Sequence, residues 1–449
     1  MMEKHGGKVT SDRRAGRRQH GQRCSASDAA PLVVVVILIV GVLFLILGPT
    51  GSSSFTVPRI RVVFNEPVHV AVAAPPPPPP PAQMQAGANA SSEEDSGLPP
   101  PRQLTDPPYS LGRTILGYDA RRSAWLAAHP EFPARVAPAG RPRVLVVTGS
   151  APARCPDPDG DHLLLRAFKN KVDYCRIHGL DVFYNTAFLD AEMSGFWAKL
   201  PLLRMLMVAH PEAELIWWVD SDAVFTDMLF EIPWERYAVH NLVLHGWEAK
   251  VFDEKSWIGV NTGSFLIRNC QWSLDLLDAW APMGPRGPVR DRYGELFAEE
   301  LSGRPPFEAD DQSALIYLLV TQRQRWGDKV FIESSYDLNG FWEGIVDRYE
   351  ELRRAGRDDG RWPFVTHFVG CKPCRRYADS YPAERCRRGM ERAFNFADDQ
   401  ILKLYGFAHE SLNTTAVRRV RNETGEPLDA GDEELGRLLH PTFRAARPT

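Results

Sequence analysis

The chain has 449 residues, enough for one large domain or two smaller ones, and 44% hydrophobic with 24% charged residues is ordinary globular make-up. A formal net charge of −4 argues against a general nucleic-acid binder, so no nucleic-acid partner is expected.

The N-terminal 30 residues form a basic tail carrying Lys4, Lys8, Arg13, Arg14, Arg17, Arg18 and Arg23. Residues 31–48 follow as an apolar run, and the 17 residues from Leu32 to Gly48 have no charged or polar side chain. That is the short end of a bilayer span. Only Arg59 and Arg61 are basic in the next 13 residues, 49–61. The bias of basic residues puts the tail in the cytosol and the rest across the membrane. A cleaved leader is the competing reading, but the run is long for one and Gly-Pro-Thr-Gly after it is a poor cleavage site. A short span suits a thin, early secretory membrane.

Residues 49–135 read as a luminal stem. Seven prolines from Pro75 to Pro81 make a stiff spacer among Ala, Ser, Gly and acidic residues, with too few large hydrophobes for a core. Asn89, Asn413 and Asn422 open glycosylation sequons. Of seven cysteines, Cys24 is cytosolic, and Cys155, Cys175, Cys270, Cys371, Cys374 and Cys386 lie on the far side, where disulfides are favoured.

Residues 136–449 are the expected globular domain. The apolar stretches 144–147, 181–184, 215–219 and 263–267 read as strands, and 161–178, 199–209, 274–280 and 314–320 as helices. Alternation of this kind predicts an α/β domain with a mainly parallel central sheet.

Asp220-Ser221-Asp222 directly follows the apolar strand 215–219. Ligands of α/β sheets bind at the carboxyl ends of strands. Two carboxylates one residue apart there suit a hard divalent cation, Mn2+ or Mg2+, that would neutralise a leaving diphosphate. Solvated turn aspartates are the bland alternative. Asp220-Ser221-Asp222-Ala223-Val224 also satisfies the first motif of haloacid-dehalogenase phosphatases, with Asp220 as nucleophile. About 75 residues of strand–helix pattern precede it, however, which fits a nucleotide-binding half better. A non-catalytic scaffold of a glycan-synthesis complex is a further alternative.

Asp310-Asp311-Gln312 opens an apolar helix, where acids are expected as caps and where a carboxylate and an amide could equally meet sugar hydroxyls. His367 ends a strand over 363–368 and leads into Gly370-Cys371-Lys372-Pro373-Cys374. Cys371, Cys374, Cys386 and His367 could form a zinc-like or redox cluster, although disulfides suit the compartment better. Lys372 is a charge that could meet a diphosphate. Trp247, Trp257 and Trp342 could stack on a glucan or pack in the core.

Six stretches in order carry a resemblance: FWAKLP at 196–201, WWVDSDAVFTDMLFEIPWERY at 217–237, HNLVLHGW at 240–247, SWIGVNTGSFLIRNCQWSLDLLDAWAPMGP at 256–285, FEADDQSALIYLL at 307–319 and THFVGCKPC at 366–374. From about residue 110 onward the chain resembles the plant xyloglucan 6-xylosyltransferases, close relatives of the galactomannan α-galactosyltransferases. The resemblance implies a GT-A fold, a type II Golgi protein, and UDP-xylose as donor with Mn2+ as the usual metal. It implies a β-1,4-glucan acceptor receiving α-1,6-linked xylose, and room for a homodimer or a heteromer with other transferases. Carried over by position, it puts Asp220, Asp222 and His367 on the metal and Lys372 on the diphosphate. Lys199, Ser221 and Gly370 fall near the donor, and Asp310, Asp311 and Gln312 along the sugar and acceptor site. Thr262 and Ser264 look like the xylosyl branch rather than the galactosyl one.

Overall fold

A computed structural model describes residues 100–133, 135–136, 141–356, 362–372, 374 and 381–420. The expected tail, membrane run and proline spacer lie outside the described residues. Among the described residues no helix is long and apolar enough to cross a membrane.

The core is a six-stranded sheet built from β1 (Val144–Gly149), β2 (Asp181–Asn185), β3 (Leu215–Val219), β5 (Leu242–Gly246), β6 (Val260–Arg268) and β7 (Val330–Glu333), in the order β2-β1-β3-β6-β5-β7. A shorter strand, β4 (Ala223–Phe225), leaves this sheet just after β3. β1 runs parallel to β2 and β3, and β5 parallel to β7, while β6 is antiparallel to both neighbours. The expected mainly parallel α/β sheet is therefore present, with one reversed strand. All five residues of β3 and nearly all of β6 are buried, as central strands covered on both faces require.

The helices α2 (Pro158–His178), α3 (Lys199–Ala209), α4 (Gln271–Trp280) and α6 (Asp311–Thr321) flank the sheet, and α5 (Pro288–Glu300) packs on α6. The limits of α2 follow from its sequence. The side chain of Asp157 accepts from the Asp159 backbone N–H, Pro158 begins the first turn, and Gly179 closes the helix at φ 58°.

A second, three-stranded sheet has the order β8-β9-β4, from β8 (Gly340–Phe341), β9 (Val365–His367) and β4. β9 pairs antiparallel with β4, His367 opposite Ala223, and parallel with β8, Phe341 opposite His367. α7 (Ala383–Leu402) covers this sheet together with α2.

The boundary expected at 135 is corrected. Residues 100–133 belong to the folded body and include a helix, α1 (Tyr118–Ala128). Its hydrophobes are sparse, so the segment read as tether, but Tyr109 and Tyr118 are both buried in the main core. The Tyr118 hydroxyl donates to Met207 O and Asn269 Oδ1. Gln271 accepts from Tyr118 N–H (2.9 Å) and donates to Ile115 O (2.7 Å), and Arg102 holds Glu192 in a two-point ion pair at 2.6 and 2.8 Å. Polar clasps substitute here for an apolar face.

Cys371 is bonded to Cys386 and Cys155 to Cys374, which corrects the zinc-like and redox-pair readings of Cys371-x-x-Cys374. Cys175 and Cys270 are free.

Candidate active site

β3 ends at Val219, and the chain turns through Asp220-Ser221-Asp222 into β4, with Ala223 N–H donating to Asp220 O. Asp220 N–H donates to Gly263 O at 2.7 Å, so the first aspartate is anchored to β6. Phe368 N–H donates to Asp222 O at 3.0 Å, which fixes the second to the end of β9. These two ties bring His367 to the carboxylates across 145 residues of chain, counting from Asp222. Its Nε2 lies 3.3 Å from Asp222 Oδ1 and 3.6 Å from Asp220 Oδ2.

One ligand atom from each of Asp220, Asp222 and His367 falls within 4.8 Å of the others. A nitrogen and two carboxylate oxygens at that spacing suit a first-row divalent cation of the Mn2+ type, and the side chains of both aspartates keep partial access to solvent. The three residues assigned to a metal therefore converge and fit one.

Close approach makes the triad possible. A Cβ placed on Gly263 would lie 2.1 Å from His367 Cε1 and 2.5 Å from its Nδ1, so the imidazole occupies the space of the missing side chain. No signal in the sequence singles out this glycine.

Charge around the triad is arranged in layers. Lys199, buried at the start of α3, sits 2.8 Å from Asp311 Oδ2 and 3.5 Å from Asp220 Oδ1, and donates to Thr262 O at 3.0 Å. Burial disfavours its charge, but Asp220 and Asp311 outweigh that and hold its pKa above the ordinary lysine value. Lys171 of α2 is fully buried and donates to Ala223 O at 2.7 Å, and burial pushes it down to about 8 against the pull of Asp222 and Asp220. The Trp218 indole N–H donates to Asp220 Oδ1 at 2.6 Å. Sequence reading missed Lys171, Trp218 and Gly263 because each acts through a contact that only the fold creates.

Burial lowers the His367 pKa, but the nearby Asp222 and Asp220 outweigh it and the net shift is upward from 6.5. A raised pKa means that protonation of His367 stabilises the metal-free fold. That contribution is whole below the unfolded-state pKa and is lost as pH rises through the folded one. Protons and a cation compete for the same nitrogen. Mn2+ affinity, measured by calorimetry across pH 5.5 to 8.5, is therefore expected to climb by about tenfold per unit until His367 has lost its proton. A flat profile would remove His367 from the ligand set.

The Asp310-Asp311-Gln312 stretch divides into three roles. Asp310 is the cap of α6: its carboxylate accepts from Ser313 N–H (2.7 Å) and Ser313 Oγ (2.6 Å) and pairs with buried Arg304 at 3.1 Å. Its oxygens hold the helix start, in line with the capping reading of this stretch. Asp311 is buried against Lys199, and burial raises its pKa against the pull of that lysine. Gln312 donates through Nε2 to Trp257 O at 2.8 Å, which leaves Oε1 to accept from a ligand.

Gly370 takes φ 85° in a turn closed by Cys371 N–H to Phe368 O, a conformation that favours glycine, and a side chain there would meet the Tyr381 ring. Lys372 follows, exposed, one residue beyond the Cys371–Cys386 bond. Ser221 is half-buried in the aspartate turn. Ser264 is buried and accepts from the Trp217 indole N–H at 3.0 Å, so its hydroxyl is engaged in the core. Trp342 is fully buried against Phe368 and Tyr381 and is a core residue, whereas Trp247 is 46% exposed.

Paired aspartates beyond a strand's carboxyl end, met there by a histidine from a second sheet, form a candidate divalent-cation site on a largely parallel α/β sheet. The chain belongs to the galactosyl transferase GMA12/MNN10 family, whose model matches residues 140–378. It is 99% identical to the "Probable glycosyltransferase 5" of Oryza sativa subsp. japonica over 449 residues, the full length of both chains. It is 61% identical to the "Probable glycosyltransferase 4" of Oryza sativa subsp. indica, covering 100% of this chain and 97% of that one. It is also 61% identical to the "Xyloglucan 6-xylosyltransferase 1" of Arabidopsis thaliana over 349 residues, 77% of this chain and 75% of that protein. With the family shown, the phosphatase alternative falls away.

Proposed function

We propose that this chain transfers xylose from UDP-xylose to O6 of glucosyl units in a β-1,4-glucan, with retention, on a GT-A fold. The observation that carries the reading is the convergence of Asp220, Asp222 and His367 beside the buried Lys199–Asp311 pair. Its support in sequence is the 61% identity to a xyloglucan 6-xylosyltransferase.

Asp220, Asp222 and His367 would hold the cation, which when bound supplies Lewis-acid stabilisation of the departing diphosphate. Lys372, at the end of the Gly370 turn, adds an exposed positive charge for the same phosphates. The acceptor O6 attacks C1 from the leaving-group face, the C1–O bond to the β-phosphate breaks, and the O6 proton passes to a β-phosphate oxygen. That route needs positioning and charge, with no enzymatic nucleophile. Lys199 supports it by holding Asp311 paired, which makes Asp311 a poor nucleophile but a fixed negative group for the positive sugar. Gln312 Oε1 accepts from a sugar hydroxyl. Trp247 provides an exposed face on which a glucan stacks. The apolar run at 31–48 fits a single-span type II Golgi protein.

The test is to incubate the full chain with Mn2+ and a cello-oligosaccharide, with UDP-xylose and UDP-galactose in parallel, and to weigh the products. A pentose increment is expected. A hexose increment only, or no product from either donor, would overturn the assignment.

A further inference from the structure

Behind the metal triad lies a buried cation that the steps above leave unused. Lys171 of α2 is fully buried, and its Nζ donates to Ala223 O at 2.7 Å. Ala223 opens β4 directly after Asp222 and stands opposite His367 in the β4–β9 pairing. The neighbouring Asn170 donates to Phe225 O and accepts from Phe225 N–H, both at 2.8 Å. Asn170 thus already ties α2 to the edge of β4.

A neutral donor would satisfy the Ala223 carbonyl equally well, so the hydrogen bond does not explain a lysine. A buried ammonium is costly unless opposite charge acts on it. The charges that favour it here are chiefly those of Asp222 and Asp220, and they keep it protonated at pH 7 against the effect of burial. With His367 neutral as a ligand, Asp220, Asp222 and Asp311 against Lys171 and Lys199 leave one net negative charge around the triad. A divalent cation turns this into one net positive charge. With a neutral residue at 171 the loaded site would carry none. Lys171 therefore works in opposite directions on two ligands: it repels the bare cation and attracts the diphosphate, and burial keeps solvent from screening either effect.

We propose that Lys171 is a positioning residue that acts by charge, holding the divalent cation weakly until a nucleoside diphosphate is present and so coupling the binding of the two. The inference rests on the transferase reading and adds to it a dependence of one ligand on the other.

Full-length wild type, Lys171→Met and Lys171→Gln are compared at pH 7. Met fills the place of the lysine stem and loses both charge and hydrogen bond, whereas Gln loses the charge and keeps a donor for Ala223 O. Calorimetry gives Kd for Mn2+ alone and Kd for UDP at saturating Mn2+, with circular dichroism melting to follow the fold. Both variants are expected to bind Mn2+ about tenfold more tightly and UDP about tenfold more weakly than wild type. A merely structural lysine cannot give opposite signs, because a loosened β4 would weaken both ligands together. Weakening of both, with or without recovery in the Gln variant, overturns the proposal, and so do unchanged constants in both variants. A Met variant that does not fold leaves the Gln variant to decide by the same signs. A wild type that binds Mn2+ but no UDP would instead overturn the transferase reading, and the Mn2+ constants would then judge Lys171.

Discussion

Gly263→Ala is expected to empty the metal site while leaving the sheet folded. The added Cβ would fall 2.1 Å from His367 Cε1, far inside contact distance. The backbone at 263 cannot retreat, because β6 is hydrogen-bonded between β3 and β5 and its Gly263 carbonyl accepts from Asp220 N–H. β9 is itself held between β4 and β8. The imidazole must therefore rotate away from Asp222. Displacing an oriented ligand in this manner costs about 10- to 100-fold in metal affinity, and turnover should fall at least as far. Mn2+ titration by calorimetry, with circular dichroism melting alongside, reads both effects. Unchanged Mn2+ affinity would show that His367 is not a ligand.

Lys199→Met has the other large expected effect, on stability as well as rate. It removes the cation between Asp311 and Asp220 and leaves Asp311 buried without its 2.8 Å partner. Breaking one side of a buried pair costs about 3–5 kcal/mol. The sign with pH follows from burial, which already raises the Asp311 pKa against the pull of Lys199. Without that lysine the folded-state pKa rises further above the unfolded one. A carboxyl of this kind binds more protons folded than unfolded, so stability declines as pH rises between the two values. The gap in melting temperature between wild type and variant should be small near pH 4 and widen toward pH 8. A gap independent of pH would mean that Asp311 does not carry the lost energy. Loss of turnover by about 100-fold or more is expected with it, as two carboxylates at the site lose their fixed partner.

The central sheet was legible because its strands are buried on both faces and so read as unbroken apolar runs. That same burial hides direction: nothing in Val260–Arg268 distinguishes a reversed strand from a parallel one. The paired aspartates were legible from local context, an apolar strand ending in two carboxylates. His367 was not, because a histidine on a short strand is ordinary until the β9–β4 pairing puts it opposite Ala223; the resemblance supplied it. Asp310 admits two readings for a physical reason, since an acid that caps a helix and an acid that meets a substrate carry the same signature at a helix start. Gly263 and Lys171 act through partners tens to more than a hundred residues away. The α1 helix escaped because a few tyrosines and glutamine bonds, rather than an apolar stripe, hold it to the body.

The Cys155–Cys374 bond joins residues 219 positions apart, from the loop before α2 to just beyond the histidine strand. During synthesis the aspartates that follow β3 leave the ribosome long before residue 367, so a nascent chain carries an open half-site over that whole stretch of elongation. Oxidation at Cys374 can follow only when the last ligand has arrived. The covalent seal thus serves as a mark of completeness: a polypeptide stopped before His367 has neither the third ligand nor the closing bond, and oxidative maturation and competence for metal begin at nearly the same point in the chain.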